Sequence, residues 1–285
     1  MNHIFQAPCV FSPKGQTSID AIEAKMLEQE QAECPVVHRF GPGIYIREVT
    51  LPAGAFAVGH YQKRKHMNVV ITGRVTMLSE DGSTKEFKAG DVFMGKPGRK
   101  MGWIHEDTRW LNIYSTMETD VEKLETWFLE KSQGFMMHQS KEMALAFMAH
   151  EDDRRDFRKA VEELGFTEEE VLKQSMNESD QTSFPPGEYK IKISDSPIEG
   201  KGLFATASIA KDEVIAPARL PDGKRTPAGR YTNHSVKPNA VMDKGRGGSI
   251  ILVALEPISG CKGGQNGQEI TIDYRKAVKL AREMR

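Results

Sequence analysis

Cysteine is scarce: the 285 residues hold three, Cys9, Cys34 and Cys261. They lie far apart with no CxxC pair, which leaves neither a zinc-ribbon spacing nor a disulfide framework, so all three read as free thiols. Long apolar runs are missing too. None approaches the roughly 18 to 20 residues needed to span a bilayer, and no membrane partner is expected. Met1 to Gly15 lacks a basic n-region and a continuous apolar h-region, so the chain shows no secretory signal. A cytoplasmic location follows as the default, the host cytoplasm if the chain is virus-borne. No repeat recurs at a fixed period.

What is present fits ordinary folded domains. Hydrophobic residues make up 39% and charged residues 28%, values of a globular rather than a disordered chain. The length suggests two compact units. The net charge of -1 hides an asymmetry: residues 188–285 carry 17 Lys and Arg against 11 Asp and Glu, leaving 22 against 29 for the rest. A basic face of this kind either steers toward acidic partners, so that nucleic acid is not excluded, or is a solvated surface.

The pattern changes along the chain. Ser18 is a plausible N-cap for an amphipathic helix with Ile19, Ile22, Met26 and Leu27 on one face, within an N-terminal segment 1–33. Residues 34–116 consist of short runs of Val, Ile, Phe and Tyr broken by turns such as Gly41-Pro42-Gly43 and Asp81-Gly82, the mark of an antiparallel barrel or sandwich. Residues 117–185 return to helical spacing, with Val121, Leu124 and Phe128, then Phe157, Val161 and Leu164, and read as a helical connector. Periodicity is lost between Asn177 and Gly187, the best boundary. Strand signals resume in 186–285: Lys190–Ile193 alternates, Ser249–Ala254 is a buried-strand run, and Glu269–Tyr274 alternates again.

Three motifs in that last part stand in a fixed order. They are Glu199-Gly-Lys-Gly-Leu-Phe-Ala205, Asn233-His-Ser-Val-Lys-Pro-Asn239 and Gln268-Glu-Ile-Thr-Ile-Asp-Tyr274. Singly, each has a plain structural explanation: a glycine turn, a polar turn and a half-buried strand. Together they resemble the SET family of lysine methyltransferases over about a third of the chain. The resemblance implies S-adenosylmethionine as cofactor, with Lys201, Gly202 and Leu203 giving backbone contacts, Asn233 binding the cofactor's amino group and the backbone at His234 its adenine. Tyr274 would be the catalytic residue, its hydroxyl orienting the amine of a target lysine on a protein substrate. This chain departs from the family in its short stretch between Ile215 and Asn233, in Val236 where Cys is usual, and in a basic tail after Tyr274 without a zinc-binding segment.

Earlier, Gly59-His60 through His66, Asn68 and Gly73, followed by Gly90–Gly98 and His105, is similar to the two cupin motifs. His66 and His105 match metal-ligand positions, whereas Asn68 and the apolar run at Val70 stand where further ligands belong. No metal is therefore expected, and this part reads as a scaffold that pairs into a homo-oligomer. The expected fold is mainly β with a helical connector: a cupin-like antiparallel β-barrel followed by a compact SET-like β-fold. The expected function is an S-adenosylmethionine-dependent protein-lysine methyltransferase with an accessory cupin domain. Two alternatives stay open: a degenerate SET-like module that binds cofactor or protein without turnover, and a metal-dependent cupin enzyme.

Overall fold

A computed structural model describes residues 19–79 and 82–284. Cys9, the Ser18 cap, the Met1–Gly15 segment and Asp81 of the predicted turn lie outside the described residues. Helix α1 (Ile19–Leu27) comes first, followed by strands β1 (Val36–Gly41), β2 (Ile44–Leu51), β3 (Phe56–Val58), β4 (Tyr61–Gln62), β5 (His66–Ser79), β6 (Thr84–Lys88), β7 (Val92–Gly95) and β8 (Lys100–Ser115). The middle of the chain is helical: α2 (Val121–Phe128), then the short β9 (Leu129–Glu130), α3 (Gln133–Ala149), α4 (Glu151–Glu163) and α5 (Glu168–Ser175). The last part holds β10 (Gly187–Tyr189), β11 (Ile191–Asp195), β12 (Lys201–Ala205), β13 (Val214–Arg219), α6 (Pro227–Arg230), β14 (Asn233–His234), β15 (Ala240–Lys244), β16 (Ile250–Ala254), β17 (Glu269–Ile272) and α7 (Tyr274–Glu283). The molecule is thus mainly β with a helical middle.

The first sheet runs β10-β1-β2-β8-β5-β6, with β3 on β8 and β7 on β5. Its end strands, β10 and β6, do not pair with each other, so the sheet is an open antiparallel path and the expected β-barrel is not closed. Curvature comes from β5 and β8, which serve two sets of partners. The first half of β5 pairs with β7, and its second half with β6. Register shifts between Val70 and Val75 mark the bend. Gly73 sits there with φ +84, and a Cβ at that position would run into the Thr108 side chain and the Asp107 carbonyl. Only glycine combines that dihedral with so close a backbone approach.

The later strands form two small sheets, β11-β12-β17-β14 and β13-β16-β15. Within the first of them β14 lies parallel to β17, pairing Asn233 with Thr271 and His234 with Ile272. This brings together two motifs that are far apart in sequence. Helix α2 is capped by Asp120, whose carboxylate accepts the Glu122 and Lys123 amides. It buries Val121, Leu124 and Phe128 in a core that also holds Tyr45 and Tyr114 of the first sheet and Ile191, Leu203, Leu252 and Ile270 of the later ones. A smaller core of Val70, Val75, Phe87 and Ile104 fills the far end of the first sheet.

One strand ends earlier than its alternation predicts. Tyr274 does not continue β17; it is the first residue of α7. Asp273 caps that helix by accepting the Arg275 amide at 2.9 Å. Ile270, Ile272 and Tyr274 therefore do not share a strand face, because the capping carboxylate turns the chain out of the sheet.

Candidate functional site

The glycine motif forms a tight loop before β12, closed by the Ser196 amide donating to the Gly200 carbonyl at 2.9 Å, with Gly200 at φ +49. On leaving it, β12 pairs with β11 along its whole length but with β17 only at Leu203 and Phe204. Leu203 is thus held in ladders on both sides and fully buried, while Lys201 and Gly202 keep one backbone edge outside the β17 ladder. Asn233 faces that edge. Its amide nitrogen lies 2.8 Å from Oε1 of Glu269, 3.0 Å from the Ser196 hydroxyl and 3.2 Å from the carbonyls of Glu199 and Lys201. No donor among the described residues reaches its Oδ1.

Glu269 is the buried carboxylate of the group. It accepts the Ser196 hydroxyl at 2.8 and 2.9 Å, and it fills the space where a Cβ on Gly202 would stand. Burial raises its pKa, against the pull of the Asn233 and Ser196 hydrogen bonds. Asn239 fastens the strand behind it, donating to the Glu269 carbonyl at 2.8 Å and accepting the Thr271 amide at 2.9 Å.

His234 and Tyr274 meet a helix from the connector. The Tyr274 amide donates to His234 Nδ1 at 3.2 Å, which fixes the tautomer: Nε2 carries the proton and donates to Asp156 on α4 at 2.9 Å. Arg275 also holds Asp156, and the two partners draw its carboxyl pKa down to about 2, Arg275 contributing most. One turn earlier, Asp153 accepts the Ser235 hydroxyl and the Val236 amide, each at 2.8 Å. Arg154 donates to the Pro197 carbonyl at 2.9 Å, and the Phe157 ring meets Tyr274 edge-on with centroids 5.9 Å apart. The Tyr274 hydroxyl donates to the Thr232 carbonyl at 3.2 Å. Burial first, then the charges of Glu269 and Glu199, push its pKa up to about 12, so it is a neutral donor near pH 7.

The structure therefore brings Lys201, Gly202, Asn233, His234 and Tyr274 to one place. Sequence reading missed Ser196, Glu269, Asp153 and Asp156. Glu269 stood within the third motif. Asp153 and Asp156 had only a three-residue spacing in an acidic helix, which any solvated face shows.

The two cupin-motif histidines are not together. His66 opens β5 opposite Gly95, stacked on Tyr114 with centroids 5.1 Å apart, whereas His105 lies on the stretch of β8 opposite Arg74 and Val75, 2.8 Å from the Thr76 hydroxyl. Asn68 accepts from Trp110 Nε1 and Asn112 Nδ2, both at 2.8 Å, in a network of side-chain hydrogen bonds. No group of three or more His, Cys, Asp or Glu side chains among the described residues is arranged to hold a metal ion. None of the described helices is long and apolar enough to cross a membrane.

No family model matches the chain, and no curated protein does. Solved structures do. The chain is similar to a cupin-2 domain protein from Shewanella frigidimarina, at 12% identity over 36% of this chain and 100% of that one, with a TM-score of 0.25. It is also similar to an RmlC-like cupin of double-stranded β-helix fold from Methanocaldococcus jannaschii, at 20% identity over 34% and 91% of the two chains, TM-score 0.25. A third likeness is to a protein of unknown function from Vibrio parahaemolyticus, at 10% identity over 29% and 87%, TM-score 0.27.

Proposed function

We propose that residues 186–285 bind S-adenosylmethionine beside Lys201, Gly202 and Asn233, and that the protein methylates a lysine side chain of a protein substrate. The observation that carries this reading is the parallel β14–β17 pairing, which sets Asn233, the glycine loop and Tyr274 side by side. The residues fit a cationic amino-acid cofactor. Asn233 keeps Oδ1 as an acceptor for an ammonium, the carboxylates of Asp195, Glu199 and Glu269 border the loop, and no heavy atom stands within 4 Å of where a Cβ on Gly200 would be. The cofactor supplies an electrophilic methyl group on a sulfonium. The chain's own task is then to hold a neutral amine in line and exclude water. Tyr274, a neutral donor and acceptor at the start of α7, orients such an amine in this reading. Helix α4 stands over His234 and Tyr274 and serves as the wall that the short stretch between Ile215 and Asn233 does not provide.

Calorimetric titration with S-adenosylmethionine, followed by mass spectrometry of a lysate incubated with labelled cofactor, tests both halves of the proposal. Binding and a labelled lysine support it; no binding at millimolar cofactor overturns it. A second reading has its own observation. The contacts of α4 with Ser235, His234 and Tyr274 suit a cofactor-binding module without turnover, and binding with no labelled product would favour it. The first sheet acts in either case as a cupin-like scaffold for self-association, which light scattering checks.

A further inference from the structure

A second polar cluster lies away from the proposed methyl-transfer site, where the first sheet meets α2 and the later strands. His38 on β1 is 0% exposed; its Nδ1 lies 2.8 Å from the Tyr45 hydroxyl, and its Nε2 has no partner among the described residues. The β1–β2 register sets it opposite Arg47, whose buried Nε is also without a partner. The same holds for Nδ1 of His60, whose ring packs edge-on against Phe135 and sits 3.8 Å from where a Cβ on Gly264 would be. Gln265 Nε2 and Asn266 Oδ1, the next residues of that loop, are likewise buried and unpartnered. Native interiors pair almost all such atoms, so this concentration of them marks a place built for a hydrogen-bonding guest.

The charges say which guest. Glu125 of α2 faces Lys131 at 3.3 Å and Lys192 at 3.8 Å. Arg47, Lys192 and Glu125 all act electrostatically on both His38 and His60. One carboxylate thus stands among three cations, and burial keeps both histidines neutral, their pKa values down to about 3. We infer that this junction binds a small anion carrying a carboxylate or phosphate group, with Arg47 and Lys192 facing its charge and the Gln265 amide and His38 ring its other polar atoms. The inference does not rest on methyl transfer, and its residues are not those of the proposed cofactor site.

The test uses the full chain, titrated by calorimetry and thermal unfolding with inorganic phosphate, malonate and succinate, with sodium chloride and glycerol as controls. One of the three anions is expected to bind at one per chain and to raise Tm saturably, and which class does so separates phosphate from carboxylate ligands. Arg47→Met and Lys192→Met should each weaken that binding at least tenfold while leaving S-adenosylmethionine binding unchanged. Should either variant fail to fold, the wild-type curve still decides, because a built site saturates and a general salt effect does not. No saturable anion binding, or binding of equal strength in folded Arg47→Met and Lys192→Met, overturns the inference.

Discussion

The side-chain amide of Asn233 donates to Oε1 of Glu269 at 2.8 Å, across the parallel strands β14 and β17. This one contact joins two of the three sequence motifs, and the same amide touches the carbonyls of the third. Removing it in Asn233→Ala leaves a buried carboxylate short of a donor, which should destabilise the fold by about 1–3 kcal/mol. It should also weaken S-adenosylmethionine binding by tenfold or more. Urea unfolding and calorimetry measure the two effects, and Asn68→Ala, on the other sheet, should leave cofactor binding unchanged.

Tyr274→Phe removes a hydroxyl whose contact is the Thr232 carbonyl. The loss of one such bond should lower stability by only about 0.5–1.5 kcal/mol and leave cofactor affinity intact. Methyl transfer should slow by roughly 5- to 150-fold, or the number of methyls added should change, for one oriented hydrogen bond worth about 1–3 kcal/mol of barrier. Initial rates and product mass spectra check this. An active wild type with an unaltered Phe variant would remove the role assigned to Tyr274.

His38 gives stability a pH dependence of definite sign. Its folded pKa, lowered by burial to about 3, lies below the value of about 6.5 expected unfolded. Between these values the unfolded chain takes up a proton that the native state refuses, so the contribution is complete above about 6.5 and is lost as pH falls toward 3. Urea midpoints measured from pH 7 to pH 4.5 should decline. His38→Gln should flatten that slope by up to about 1.4 kcal/mol per pH unit.

Gly73→Ala should be among the most damaging of glycine substitutions, since it adds a collision with the Thr108 and Asp107 backbone to a left-handed dihedral. A loss above about 2 kcal/mol is expected. Gly90 has φ +93, and nothing lies within 4 Å of the position a Cβ would take there, so Gly90→Ala isolates the dihedral and should lose only about 1 kcal/mol. Equal midpoints for the two variants in chemical denaturation would contradict this account of the bend.

Local patterns carried much of this architecture. The alternation at Lys190–Ile193 and the run at Ser249–Ala254 fall on β11 and β16, and Val121, Leu124 and Phe128 do form one buried helix face. Period-two and period-3.6 patterns report which side of an element is buried, as on α2, but β11 buries Ile191, Lys192 and Ile193 alike, so its alternation marked the strand and not an exposed face. Longer-range features left no such trace. The open path of the first sheet depends on where β5 bends, and a glycine in a strand run signals a bend without saying which strands it separates. At Tyr274 the alternating pattern simply ran on, although Asp273 before a helix-forming stretch was a readable cap. The place of α4 over His234 rests on Asp153 and Asp156, whose partners Ser235, Val236 and His234 are 78 to 83 positions distant and indistinguishable in sequence from water.

Strand β10, which follows the boundary segment, completes the edge of β1 by pairing His38 with Tyr189, while Val36 donates its amide to the Thr206 carbonyl at 2.8 Å. Tyr45 and Ile191 then share one core. A chain knitted in this way is a poor candidate for shuffling between genes. A copy of the first sheet moved into another protein without residues 187–206 would carry a raw strand edge, ready to join the same edge on a neighbouring molecule. Inheritance of the two parts as one block, rather than as exchangeable cassettes, is the expected consequence.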